Sequence, residues 1–150
     1  MTRSKKPSHL HSMAAMVESR LALIIWVCLI YAFSSDSFSK DATSRTIVPI
    51  LTFVFPTMSA LQLDFWHVVV RKTAHISEYF ILGVLAYRAF RVDQPDGIRM
   101  IIHAAIFVVL VALSDEFHQL FTLMRGSSLM DVGYDNLGGS IGLWLMSRTR

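Results

Sequence analysis

Residues 114–136, SDEFHQLFTLMRGSSLMDVGYDN, set Asp115, Glu116, His118, Gln119, Arg125, Asp131, Asp135 and Asn136 between two apolar runs. Residues 98–113 carry no charge after Arg99, and residues 137–146 carry none at all. Ionisable groups in so apolar a neighbourhood are costly, so the fold must bring them partners or give them a task. A complement stands at residues 71–79, RKTAHISEY, where Arg71, Lys72, His75, Glu78 and Tyr79 interrupt another apolar run. The two stretches are expected to meet and form one polar site near one face of a bilayer.

Composition makes the bilayer the natural solvent. The chain has 150 residues, enough for one domain over 1–150, of which 53% are hydrophobic, and its mean hydropathy is +0.48. Several apolar runs approach the length of a membrane span. The net charge of +3 comes from Lys and Arg at the ends of apolar runs, where they set topology and meet anionic lipid. No basic patch interleaves with aromatics, so membrane lipids and not nucleic acid are the expected partners. Cys28 is the one cysteine, which excludes an intramolecular disulfide and any Cys-based metal spacing.

In chain order the pattern predicts an all-α integral membrane bundle of four transmembrane helices, at about residues 14–33, 65–90, 98–121 and 130–147. Residues 1–20 read as a basic tail, with Glu18 and Arg20 snorkelling to headgroups. A signal peptide is the competing reading of the first apolar run, but no small-x-small cleavage site follows it convincingly, and residues 31–40 read as a helix end. Residues 34–40 form a serine-rich turn. Residues 46–63 carry no charge, yet Pro49 and Pro56 each remove a backbone donor. They are expected to form an interfacial or re-entrant segment, with a fifth span as the alternative. Turns are predicted at 92–97 and 122–128. In the last helix Gly138 and Gly142 have the GxxxG spacing that lets helices approach closely, and they offer a face for a homo-oligomer. A kinked glycine-rich helix end is the plainer alternative.

Four spans with a cytoplasmic N-terminus put Arg3, Lys5, Lys6, Arg20, Arg88, Arg91, Arg99, Arg148 and Arg150 inside. Only Lys40, Arg45 and Arg125 then flank the spans outside, as the positive-inside rule requires of a bacterial-type inner membrane protein with both termini cytoplasmic. Spans two, three and four would then carry their ionisable residues at similar depth on the outer side. Lys72, His75 and Tyr79 are three and four residues apart, one helical face; Asp115 and Gln119 are four apart, as are Asp131 and Asp135.

These residues also resemble a family. RKTAHISEYFILGVL (71–85), SDEFHQLF (114–121) and RGSSLMDVGYDNLGGSIG (125–142) resemble the blocks of the VanZ-like membrane proteins. That pattern pairs K-x-x-H-x-x-x-Y with D-E-x-x-Q and then R-x-x-x-x-x-D-x-x-x-(D/N)-x-x-G. It falls here on Lys72, His75 and Tyr79, on Asp115, Glu116 and Gln119, and on Arg125, Asp131, Asp135 or Asn136, and Gly139. The family is named for a protein associated with low-level resistance to teicoplanin, which acts on cell-wall precursors at the outer membrane face. The resemblance implies a cell-envelope role, with a link to glycopeptide resistance as one form of it.

Three kinds of chemistry remain open for such a site. As an enzyme on a lipid-linked anionic substrate, His75 would be general acid or base. Asp115 and Glu116 would act beside it, holding a divalent cation with Asp131 or Asp135. Lys72 and Arg125 would hold phosphate oxygens; Tyr79, Gln119, Asp131, Asp135 and Asn136 would line the substrate. As a binding, transport or proton-relay protein, the same groups would hold a headgroup or pass protons without covalent chemistry. As a purely structural cluster, the cations and carboxylates would pair and lock the helices together.

Overall fold

The structure, a computed structural model, describes residues 9–93, 97–122 and 128–149, with the side chains of 9–12 and 93 outside that description. Arg125 and most of the two predicted turns at 92–97 and 122–128 therefore lie outside the described residues. All described secondary structure is helical: α1 (His9–Phe33), α2 (Lys40–Val54), α3 (Ala60–Asp93), α4 (Ile98–Gln119) and α5 (Leu129–Arg148), with a single 3-10 turn at Asp36–Phe38. The fold class is all-α, as expected.

The first long helix starts at His9 rather than near residue 14, and α3 starts at Ala60 rather than 65. At about 1.5 Å per residue, the 34 residues of α3 reach about 50 Å, well beyond a hydrocarbon core of about 30 Å. The segment 46–63 divides between two helices. Helix α2 begins earlier, at Lys40, because the Ser39 hydroxyl accepts from the Ala42 N–H at 3.3 Å and Asp41 sits in the first turn. It carries Pro49 inside and stops at Val54. Phe55, the residue before Pro56, is extended (φ −131°, ψ 75°), as the proline ring demands of its predecessor. A tight turn with Met58 N–H on the Phe55 carbonyl (3.2 Å) then leads to α3.

Four helices run alternately up and down. Along α3 and α5 the partners rise together: Lys72 with Asp131, His75 with Asp135, Ile76 with Gly138, Phe80 with Gly142. These two helices are parallel. Helix α4 runs against α5, with Glu116 beside Ser128 and Val108 beside Gly139. It runs with α1, with Tyr31 beside Ser114 and Ser34 beside Gln119. The core is Leu23, Ile30, Leu82, Ala86, Tyr87, Met100, Ala104, Val108 and their neighbours.

The outer surface is apolar along its length. Leu21, Ile24 and Ile25 on α1, Ile102, Ile106, Leu110 and Leu113 on α4, and Leu137, Ile141 and Leu145 on α5 are all exposed. Residues 13–33 and α4 are each long and apolar enough to cross a membrane, and only 17% and 33% of their most apolar stretches are buried. A core helix of a soluble protein would bury most of such a stretch, so these two turn their apolar faces outward instead.

Gly138 and Gly142 pack closely within the chain. A Cβ built at Gly138 would collide with the Ile76 carbonyl oxygen, one at Gly142 with that of Phe80, and one at Gly83 with that of Gly139. All four glycines are buried in the contact between α3 and α5. The small residues thus let α3 and α5 touch backbone to backbone.

Two side chains of the types that often anchor helices at a membrane interface are instead engaged inside the bundle. His67 is 1% exposed and its Nε2 lies 3.2 Å from the Thr43 hydroxyl of α2. Trp26 donates its indole N–H to the Glu78 carbonyl at 2.9 Å, tying α1 to α3. Trp144 is exposed, with Arg148 5.7 Å from its ring centroid.

Candidate functional site

The alternating directions bring four helix segments to one end of the bundle: the ends of α1 and α4, the first half of α3 and the start of α5. Lys72, His75 and Tyr79 share a face of α3 that meets α5. The Lys72 ammonium pairs with Asp131 and lies 5.1 Å over the Tyr134 ring, within cation–π range. One turn deeper, His75 Nδ1 stands 3.4 Å from Asp135 Oδ1, both residues buried. The i, i+3 step on α3 therefore meets the i, i+4 step on α5, and two cationic or ionisable donors face two carboxylates.

Helix α4 supplies the third wall. Asp115 is fully buried, and its Oδ2 accepts from Gln119 Nε2 at 3.0 Å. The same amide donates to Ser34 Oγ at 3.3 Å, so Gln119 joins α4 to α1. Glu116 turns the other way. Its Oε2 accepts the Ser128 backbone N–H at 2.7 Å, placing a carboxylate at the positive end of α5. Ser128 itself caps that helix, its hydroxyl accepting from the Met130 N–H at 3.2 Å. Adjacent residues on a helix point about 100° apart, and that is how Asp115 and Glu116 come to face different neighbours.

Most of the predicted residues lie at this end. Tyr79 is fully buried beside them. Asn136 is held by its own helix, donating to the Val132 carbonyl at 2.8 Å, so Asp135 is the one that faces His75. His118 packs edge-on against the Tyr31 ring at 5.6 Å. Arg125 lies outside the described residues. The proposed cation set Asp115, Glu116 and Asp131 is not assembled: the three carboxylates turn to Gln119, to Ser128 and to Lys72. Among the described residues no three His, Cys, Asp or Glu side chains are grouped to hold a metal ion.

Sequence reasoning missed Tyr31 and Ser34. The Tyr31 hydroxyl shares a hydrogen bond with Ser114, and Ser34 is buried against Gln119. The polar run closing the first helix, at the same end as Asp115, was the signal available. Three polar atoms of the cluster, Tyr79 OH, Asp115 Oδ1 and Glu116 Oε1, are buried with no hydrogen-bond partner among the described residues. Buried polar atoms are normally satisfied, so these three need an explanation beyond helix packing.

No curated protein and no solved structure matches the chain at a significant level. A family model described as VanZ/LLP1 matches residues 20–150, every helix except the start of α1. Together with the two outward-facing apolar helices, that match makes this a VanZ-like membrane protein, and the chain belongs to the VanZ/LLP1 family.

Proposed function

We propose that the chain crosses a bacterial cytoplasmic membrane four times, through α1, α3, α4 and α5, with both termini cytoplasmic. Its polar end would then face outward and bind, or act on, the headgroup of a phospholipid or lipid-linked substrate. Helix direction supports four crossings. Charges lower the hydropathy of α3 and α5, but Lys72, His75, Asp131 and Asp135 point at one another. The opposite end of the bundle carries exposed Arg20, Arg88, Arg91, Arg99 and Arg148, the arrangement of a cytoplasmic face. Helix α2 and the turn after it expose Ile50, Phe53, Val54 and Phe55, which suits an interfacial or re-entrant segment.

The single observation that carries the ligand reading is the convergence, at one end and among apolar walls, of His75, Asp115, Glu116 and Tyr79 with acceptors and a hydroxyl still unpaired. In this reading Lys72 attracts an anionic headgroup. Asp135 orients His75 for any proton transfer, and Asp115 is fixed by Gln119. A link to glycopeptide tolerance is part of the proposal.

A second reading is favoured by the Lys72–Asp131 pair and the His75–Asp135 contact. Here the cluster only locks α3 to α5, as part of a structural or small proton-relay protein.

Topology tests the first reading. In a Cys28→Ala background, single cysteines at Ser128 and Val92 are probed on intact cells with an impermeant thiol reagent. Labelling at Ser128 and not at Val92 is expected. The reverse pattern puts the cluster against the cytoplasm and removes the outer-leaflet ligand. In a strain lacking the protein, reduced teicoplanin tolerance is expected to be restored by the wild type and not by His75→Gln.

A further inference from the structure

Beside the polar cluster, a cavity of about 210 Å³ opens between α1, α2 and α3. Phe33, Phe38, Ile47, Val70 and Ala74 form most of its wall, and Arg71 is its cation. His75 lines it too, so the cavity adjoins the cluster. It is smaller than the ~300–1,000 Å³ of pockets that enclose a whole drug-sized ligand. It can hold only part of a larger amphiphile.

Arg71 is half-buried and makes no ion pair or hydrogen bond among the described residues. The carboxylates nearby are engaged. Asp64 pairs with Lys40 at 2.9 Å, Asp131 with Lys72, and Glu78, which lines the same cavity, has a partner of its own. A guanidinium stays charged even when partly desolvated, and a desolvated charge with no counter-ion is destabilising. Its planar fork matches a phosphate better than a single ammonium does. An apolar wall on three helices beside that fork suits acyl carbons.

We propose that this cavity seats the phosphate of an anionic glycerolipid. Arg71 holds the phosphate, and Phe33, Ile47 and Val70 cover the first acyl carbons while the rest of the chains stays in the bilayer. The proposal rests on the reading that the polar end of the bundle faces lipid headgroups. It adds the class of ligand and a contact residue outside the cluster.

Native mass spectrometry of the purified full-length chain tests it, with phosphatidic acid as probe. Diacylglycerol of the same chains and glycerol 3-phosphate serve as controls. Wild type is expected to bind phosphatidic acid, to ignore diacylglycerol, and not to be competed by glycerol 3-phosphate. Arg71→Gln and Ala74→Trp are each expected to weaken binding at least about tenfold, the first by losing a charge-assisted hydrogen bond and the second by filling the cavity. Arg71→Lys should lose less. Ile47→Trp fills the cavity from α2 if Ala74→Trp does not fold. Wild-type affinity in Arg71→Gln and in the filled variants overturns the seat. Competition by glycerol 3-phosphate overturns the lipid assignment in favour of a free phosphate ester. Asp115→Asn separates the two levels. If it alone abolishes binding while Arg71→Gln does not, the seat is wrong and the outward polar site survives. If Arg71→Gln abolishes binding and Asp115→Asn does not, the seat stands and the cluster is not the ligand site. No binding by wild type overturns both.

Discussion

The contact between α3 and α5 has two halves that solve one problem by different physics. In the deeper half, glycines remove side chains, so Gly138 rests on Ile76, Gly142 on Phe80 and Gly83 on Gly139. In the outer half, side chains meet as Lys72 with Asp131 and His75 with Asp135. The deeper half needs nothing further to explain it, because van der Waals contact between close backbones holds membrane helices together. The outer half is more elaborate than adhesion requires. Each buried ionisable group carries a desolvation penalty that a leucine would avoid, and the cluster extends to Asp115 and Glu116 on a third helix. The difference teaches that the seam is built for closeness, while the polar end carries charges that closeness does not require, and the ligand reading and the lock reading account for those charges in different ways.

The deeper half should be the more fragile. A Cβ at Gly138 or Gly142 meets a backbone carbonyl that cannot rotate away. Gly138→Ala or Gly142→Ala is expected to cost about 3 kcal/mol, the upper end of overpacking. Folded protein by fluorescence-detected size exclusion should fall sharply. Gly133 lies on the same helix with nothing near its Cβ position. Gly133→Ala should be neutral or stabilising by up to about 1 kcal/mol through helix propensity. Equal yields from both kinds of variant would remove the backbone-contact account.

The outer half is next. Lys72→Met leaves Asp131, only 15% exposed, beside an apolar side chain. Full burial would make the loss about 3–5 kcal/mol, but Lys72 is 32% exposed, so roughly 1–2 kcal/mol is expected after solvent screening. The double variant Lys72→Met, Asp131→Leu distinguishes the readings. A lock is replaceable by packing, so stability and function should both return if the pair is only structural. Stability that returns without function assigns the pair to a ligand.

Isosteric changes should affect stability least and function most. Asp115→Asn keeps an acceptor for Gln119 and removes the charge, and His75→Gln keeps a polar side chain in place. Both are expected to fold with a melting temperature near that of wild type while headgroup binding or envelope phenotype is lost. Unchanged abundance together with an unchanged phenotype would end the site hypothesis.

Several features were legible in the sequence because they depend on local period. The helical class follows from apolar runs of near-span length. The ladder of Lys72 and His75 against Asp131 and Asp135 follows from steps of three and four on two parallel helices. The starts of α4 and α5 follow from Gly97 and Ser128. Contacts made by single side chains across distant helices were not legible. Nothing local marks the Trp26 indole as the partner of the Glu78 carbonyl or Ser34 as the partner of Gln119. Nor does anything local mark His67 for burial beneath α2. The early start of α2 is set by the Ser39 cap and the first-turn Asp41, which precede the uncharged run interrupted by Pro49 and Pro56. The glycines read equally well as an oligomer face or an internal seam, since the GxxxG spacing records closeness and not which helix comes close.

The smallest effect lies outside the spans, where α2 meets the start of α3. The Lys40 ammonium holds the Asp64 carboxyl below its ordinary range, through their 2.9 Å contact and its charge. A carboxyl lowered on folding contributes stability that is fully present above its unfolded value of about 3.9 and is lost as pH falls through the folded value. The pair is fully open to solvent and salt, which keeps its contribution at the weak end for surface ion pairs. Asp64→Asn should therefore leave the melting temperature at neutral pH almost unmoved, and any difference from wild type should begin to shrink below about pH 4 and vanish only once the pH has fallen past the lowered folded value. A large, salt-insensitive loss at neutral pH would mean instead that α2 is held on α3 by this pair. The hydrogen bond between Thr43 and the buried His67 would then be the lesser of the two ties.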